Sequence, residues 1–238
     1  MRNRITAVVK RIMDIVLSII ILIVNAPIAI AIAIAIKLTS PGPVFYRQRR
    51  LGRIGPRGGP VPEFNVYKFR TMTANAEAST GAVLCQQNDP RVTRIGHFLR
   101  KTRLDELPQF LNVLNGDMSI VGPRPERPEL MEPLNSSIPF FEERLRFVKP
   151  GITGLAQIKL NYDGDIPQNS DLTHLKPFLV NPFQMQELEG AVADGMRLKL
   201  LYDLVYSSSL ERFSSFIKTD LGIMLKTPLV MFYNRTGQ

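Results

Sequence analysis

The sequence predicts a helix-rich α/β (α+β) protein with an N-terminal membrane segment and one further domain behind it. Three observations carry that prediction. Ile15–Ile36 is 22 residues long and holds no charge; as a straight helix it would measure about 33 Å, close to the hydrocarbon thickness of a bilayer. From Pro41 onward, short β-type and helix-type patterns alternate between Gly/Pro-rich stretches. The charge is divided: residues 1–103 carry 17 basic and 4 acidic side chains, net +13, and residues 104–238 carry 13 basic and 17 acidic, net −4. A basic half beside an apolar segment favours anionic partners such as lipid headgroups, nucleotides, phosphates or nucleic acid. The chain divides accordingly into residues 1–38, a basic flank and membrane segment, and residues 39–238.

Two features shape the membrane segment. Asn25, Ala26 and Pro27 lie near its middle, and Pro27 removes a helical hydrogen bond there. Basic residues flank both ends: Arg2, Arg4, Lys10 and Arg11 before it, and Lys37, Arg47, Arg49, Arg50, Arg53 and Arg57 after it. A crossing helix normally shows an imbalance of positive charge. A helix bent at Pro27 that crosses, and a kinked re-entrant hairpin with both ends on one side, are both open on these grounds. A removable signal peptide fits less well, because the apolar run is long and no small-x-small cleavage site follows it.

Val44–Arg49 reads as a short strand, Leu51–Pro62 as a loop rich in Gly, Pro and Arg, and Phe64–Arg70 as a second strand. Arg94–Thr102 is expected to be helical, with Ile95, Phe98 and Leu99 on one face. A helix is expected over Asp105–Leu114, where leucines recur at helical spacing; Pro108 must then lie in its first turn and Asn115-Gly116 ends it. Val121–Pro128 and Lys149–Gly154 read as turn-rich loops, and Asn161–Ser170 as a polar one. Met196–Tyr206 has helical periodicity. Phe213–Phe232 reads either as a packed helix or as one lying in the membrane interface.

Asp105-Glu106 is the main chemical candidate. It follows Arg91, Arg94, Arg100, Lys101 and Arg103. A carboxylate can attack phosphorus to give an acyl phosphate, and nearby cations would keep it ionised and neutralise a phosphorylated substrate. Asp105 could equally be a helix N-cap, with Glu106 complementing the helix dipole. Arg124, held between Pro123 and Pro125, suits phosphate recognition or forms a solvated turn. Lys68 and Arg70 are the third candidate, at a strand edge.

Cys85 is the single cysteine, so no internal disulfide can form, and with two histidines it cannot build a zinc site. Carboxylates and phosphates would hold a hard ion such as Mg2+. No glycine-rich nucleotide motif or G-x-S-x-G elbow occurs. A lipid-binding scaffold and a membrane-tethered nucleic-acid binder are the alternative classes; against the latter, the chain has no Trp and no recognisable reading helix.

Several motifs in order then identify a family. They are Lys10-Arg11-Ile12-Met13-Asp14, Ser40-Pro41-Gly42-Pro43, Tyr67-Lys68-Phe69-Arg70, Asp89-Pro90-Arg91, Leu104-Asp105-Glu106-Leu107-Pro108, Val121-Gly122-Pro123-Arg124-Pro125 and Lys149-Pro150-Gly151-Ile152-Thr153-Gly154, with a weaker echo at Leu200–Leu204. From about residue 8 to 160 the chain resembles the bacterial sugar transferases, also called monotopic phosphoglycosyl transferases. The resemblance implies transfer of a sugar 1-phosphate from a UDP-sugar to undecaprenyl (polyprenyl) phosphate with release of UMP. That is the initiating step of exopolysaccharide, capsule or O-antigen-type glycan synthesis. It implies Asp105 as nucleophile, Glu106 as its partner in proton handling, and Mg2+ held at Asp105 and Glu106. Lys68, Arg100 and Arg124 match basic residues associated with the family's phosphate site, and Arg70 and Arg103 beside them are further candidates for binding substrate phosphates. It implies a re-entrant membrane helix broken at Asn25-Ala26-Pro27, in a monotopic protein on the cytoplasmic face of a bacterial inner membrane. The phospholipid bilayer is then a partner, nucleic acid is not, and a homodimer is open.

Overall fold

The computed structural model describes residues 4–55, 59–74, 76, 89–160 and 191–233. The polar stretch 161–170 lies outside them. Helix α1 (Arg4–Thr39) holds the whole apolar segment. Its helical turns continue through Asn25, Ala26 and Pro27, so the break expected there is not an interruption of the helix. The Asn25 side-chain amide donates to the Ile21 carbonyl at 2.8 Å. The acceptor that Pro27, lacking an N–H, cannot serve is the Ile23 carbonyl, so this bond belongs to the turn before the proline and does not replace the missing one. A re-entrant path would therefore be a kink within a continuous helix, not two helices joined by a loop.

Most of α1 is apolar and outward-facing: Ile23, Val24 and Ile30 are each more than 60% exposed. Both ends of the helix nevertheless dock on the rest of the chain. Thr6, Lys10, Asp14 and Ser18, four residues apart, form one buried polar stripe. The Lys10 ammonium meets Asp220 at 2.7 Å. Asp14 accepts from the Ser119 hydroxyl and the Ile120 N–H, both at 3.0 Å. Arg11 donates to the carbonyls of Val113 and Leu114, satisfying acceptors at the end of a helix. At the far end Ile32 and Ile36 pack with Phe69, Leu99 and Leu107. The motif at residues 10–14 is thus a buried dock and not a solvated flank.

Strands β1 (Phe45–Leu51) and β2 (Glu63–Phe69) form an antiparallel ribbon with Phe45 opposite Phe69 and Leu51 opposite Glu63. Helix α2 (Arg94–Thr102) matches the expected boundaries, and the Thr93 hydroxyl caps it by accepting from the Gly96 N–H. The single helix expected over Asp105–Leu114 is instead a one-turn 3-10 helix, Leu104–Glu106, followed by α3 (Gln109–Asn115). Pro108 explains the division. Without an N–H it cannot bond back to Leu104, so the first turn closes on itself through Leu107 N–H to Leu104 O and α3 starts after the proline.

Strand β3 (Ser119–Val121) pairs in parallel with β4 (Gly151–Thr153), which lies in the stretch expected to be a loop. Glycine permits this pairing: a Cβ on Gly151 would stand 2.1 Å from the Gly122 nitrogen. The short helices α4 (Met131–Ser137) and α5 (Leu155–Lys159) are followed by α6 (Ala191–Ser209) and α7 (Phe213–Tyr233). The main core joins Val66 of β2, Val113 of α3, Val121 of β3, Tyr206 of α6 and Phe216 and Ile223 of α7. Each such buried side chain contributes roughly 1.5–3 kcal/mol. Helix α7 is apolar on two faces: Phe216 and Ile223 face inward, while Leu221, Leu225 and Leu229, spaced four apart, are 44%, 74% and 58% exposed.

Candidate active site

Arg103 sets the site. It takes the left-handed conformation at φ 58°, ending α2 and turning the chain directly into the 3-10 turn that carries Asp105 and Glu106. Three residues per turn send these neighbours about 120° apart, yet both are buried, at 7% and 4% exposure. Asp105 does not cap a helix: Arg103 and Pro108 occupy the capping positions of the 3-10 turn and of α3.

The two carboxylates differ sharply. Glu106 Oε1 accepts from Lys68 at 3.3 Å and from Arg124 at 2.8 Å, and Oε2 lies 3.5 Å from Arg124 Nη1. Burial works to raise the Glu106 pKa, but Arg124 and Lys68 outweigh it and hold Glu106 well below the usual carboxylate range. The buried Asp105 Oδ1, by contrast, has no hydrogen-bond partner among the described residues. Burial first and the Glu106 charge second push its pKa up to about 6, against the opposing cations Lys68, Arg103 and Arg124. The site therefore holds one neutralised, clamped carboxylate and one desolvated carboxylate with an open oxygen.

The other basic candidates have different places. Lys68 comes from β2, and Arg124 from the extended strap that follows β3. Arg70 is not placed at the carboxylates. Its guanidinium is committed to the Ser40 carbonyl and hydroxyl, at 2.8 and 2.9 Å, and to the Pro41 carbonyl. The reason is local: Arg70 follows the end of β2, beside the turn that closes α1, and binds that turn's unsatisfied oxygens. The Arg100 Nε–H donates to the Thr71 hydroxyl at 2.9 Å, tying α2 to the exit of β2.

Two features escaped the sequence reading. Arg50, at the end of β1, donates to the Pro125 carbonyl at 3.1 Å and to Gln48 Oε1 at 2.6 Å. It lines a pocket with Lys68, Arg124, Gln109, Val66 and Pro125. Behind the strap lies a buried ionic cluster. Arg144, 1% exposed, bonds Glu126 at 3.0 Å, Asp203 at 2.7 Å and the Arg124 carbonyl at 3.0 Å. Lys199 also pairs with Glu126. Glu126 beside the Pro-Arg-Pro motif and Asp203 in the Leu200–Leu204 echo were visible signals; Arg144 sits in no recognised motif.

Among the described residues no three His, Cys, Asp or Glu side chains cluster as a metal cage. The residues do fit a Mg2+ of the kind held by one or two carboxylates and completed by substrate phosphates. Asp105 Oδ1 is an open buried oxygen, and Glu106 Oε2 has only the 3.5 Å contact.

Comparison with known proteins finds one matching family. The bacterial sugar transferase family matches residues 5–234. A UDP-N-acetylgalactosamine-undecaprenyl-phosphate N-acetylgalactosaminephosphotransferase of Aeromonas hydrophila is 47% identical over 67% of this chain and 36% of its own length. A Bacillus subtilis protein, provisionally named undecaprenyl-phosphate N-acetylgalactosaminyl 1-phosphate transferase, is 46% identical over 66% of this chain and 79% of its own. A UDP-glucose:undecaprenyl-phosphate glucose-1-phosphate transferase of Escherichia coli is 49% identical over 63% of this chain and 30% of its own. The chain thus spans about a third of two of these relatives and most of the other. With the family matching nearly its full length, the chain belongs to the bacterial sugar transferases.

Proposed function

We propose that the protein transfers a sugar 1-phosphate from a UDP-sugar to undecaprenyl phosphate through a covalent phospho-sugar on Asp105. In the first step an Asp105 carboxylate oxygen attacks the phosphorus bearing the sugar. The new O–P bond forms as the bond to the bridging oxygen breaks, and UMP leaves with that electron pair. In the second step a phosphate oxygen of undecaprenyl phosphate attacks the same phosphorus. The Asp105–P bond breaks, the carboxylate is regenerated, and the polyprenyl-diphospho-sugar departs. The observation that carries this reading is the open, buried Asp105 Oδ1 beside a carboxylate already neutralised by Lys68 and Arg124. Desolvation raises Asp105's basicity to about 6 yet leaves it mostly ionised near neutral pH, which suits a nucleophile. Lys68, Arg103 and Arg124 supply positive charge where the pentavalent phosphoryl oxygens gather. Mg2+ bound at Asp105 and Glu106 would add further charge neutralisation for the diphosphate.

The placement of α1 supports a monotopic arrangement on the cytoplasmic face of the inner membrane. Residues 10–14 and residues 32–40 both contact the same domain, while the middle of the helix exposes isoleucine and valine. The outward leucines of α7 extend that apolar surface as an interfacial helix. A lipid-linked acceptor and a membrane-seated active site then share one leaflet.

The test uses the full chain in detergent with Mg2+, undecaprenyl phosphate and a panel of UDP-sugars, with UMP release as the signal. Asp105→Asn is expected to fall to background. The unaltered protein, given UDP-sugar and no acceptor, is expected to gain the mass of one sugar phosphate on the peptide containing Asp105. Near-normal turnover of Asp105→Asn would sink the assignment.

A further inference from the structure

Resting on the reaction above, we propose that Arg50 forms a phosphomonoester site across the pocket from Asp105, used by the leaving UMP and then by the entering polyprenyl phosphate. The ribbon register places this site. Directly opposed residues of an antiparallel pair share a face. Tyr46 opposite Lys68, Gln48 opposite Val66 and Arg50 opposite Phe64 therefore all stand on one face. Lys68 and the level of Arg50 are four residues apart along the ribbon, and both side chains reach one pocket. Lys68 reaches Glu106 at one end. Arg124 bonds the same Glu106, while the next residue, Pro125, accepts from Arg50. The three cations thus form a row, and Asp105 and Glu106 lie at the Lys68 end.

Charge points to an anion at the other end. The pocket lining contains Arg50, Lys68 and Arg124 and no acidic side chain. Lys68 and Arg124 both bond Glu106. The two hydrogen bonds of Arg50 go to uncharged oxygens, Pro125 O and Gln48 Oε1. These bonds fix the guanidinium and, among the described residues, leave three of its five N–H groups for a ligand. Fixed cations converging on one pocket, with Asp105 and Glu106 at the Lys68 end, suit a diphosphate, with its reacting phosphorus near Asp105 and its second phosphate near Arg50.

The chemistry then requires the site to be used twice. In an in-line displacement the leaving oxygen lies opposite the attacking one, so the phosphate of UMP leaves on the side away from Asp105. In the second step the Asp105–P bond is the one that breaks, so the attacking oxygen must arrive from that same side. Both groups are phosphomonoesters, and one arginine serves both.

Titration calorimetry on the full chain in detergent tests this without requiring turnover. For Arg50→Gln the dissociation constants of UMP and of a short-chain polyprenyl phosphate are both expected to rise roughly ten- to hundredfold, the size of one charge-assisted hydrogen bond. Uridine, which lacks the phosphate, is expected to bind the variant and the unaltered protein alike, which shows that the variant is folded. UMP is expected to compete with the polyprenyl phosphate on the unaltered protein. The proposal is overturned if either phosphomonoester binds Arg50→Gln unchanged, if the two do not compete, or if uridine loses affinity in parallel. If the unaltered protein binds both competitively but releases no UMP from any UDP-sugar, the reaction fails and the anion site stands.

Discussion

Replacing Arg144 by methionine tests how the active-site strap is held. The guanidinium lies between Glu126 and Asp203, with 1% of its side chain exposed, and also donates to the Arg124 carbonyl. Methionine retains much of the volume and removes the charge. Lys199 still reaches Glu126, so the loss falls chiefly on Asp203, itself 1% exposed. Breaking a buried pair while leaving one partner charged costs about 3–5 kcal/mol, a large share of the 5–15 kcal/mol typical of a folded domain. For a chain of this size that is a fall of roughly 6–20 °C in melting temperature. Adding Asp203→Leu removes the stranded carboxylate, so the double variant is expected to melt above Arg144→Met. The assay is thermal unfolding in detergent over the four-protein cycle. A melting point for Arg144→Met within about 2 °C of the unaltered protein would refute the reasoning, as would strictly additive losses.

Three further outcomes follow from the geometry. The pKa of Asp105 is raised from 3.8 to about 6, so its contribution favours folding at low pH and is lost as pH rises through that window. Near pH 7.5 the buried charge costs on the order of 3 kcal/mol, and in EDTA Asp105→Asn should melt above the unaltered protein there but not near pH 4; an equal gap at both pH values would count against this. Gly151→Ala would place a Cβ 2.1 Å from the Gly122 nitrogen, and prying β3 from β4 should cost about 1–3 kcal/mol or more; unchanged urea unfolding would show that the strands yield freely. Arg4→Cys and Gly59→Cys, each in a Cys85→Ser background, should react with a membrane-impermeant maleimide from the same side of the inner membrane, and opposite-side labelling would show that α1 crosses.

The elements visible in the sequence were those with strong local signals. Thr93 and the basic last turn fix α2, and the aromatic residues Phe45, Tyr46, Phe64, Tyr67 and Phe69 mark β1 and β2. Strand β4 was read as a loop because Pro150, Gly151 and Gly154 are turn residues by local chemistry; their small size serves the close approach to Gly122 instead. Asp105 and Glu106 were visible as an adjacent pair, but their division into open and clamped carboxylates depends on Lys68 and Arg124, 38 and 18 residues from Glu106. The same distance effect removed Arg70 from the site. A basic residue two positions from Lys68 reads as a second cation of the site, and only the end of α1 at Ser40 shows what it holds.

The N-terminal cations teach the same lesson about the membrane. Lys10 and Arg11 counted as positive flank, one of the reasons for placing both ends of the apolar segment on one side. Both are spent on the interior, Lys10 on Asp220 and Arg11 on the end of α3. With Lys10 and Arg11 held inside, flanking charge says little about the side on which each end of α1 lies, and the contacts of its two ends say more. Asp14 and Ile36 are 22 residues apart, about 33 Å along a straight helix, and each is buried against the same domain. A helix perpendicular to the bilayer would carry one of these contacts to the opposite face, beyond the reach of a domain confined to one side. A domain on one side keeps both contacts only if α1 turns back at Pro27 or lies shallow within one leaflet. The polar stripe at residues 6, 10, 14 and 18 then fixes where the helix leaves the domain.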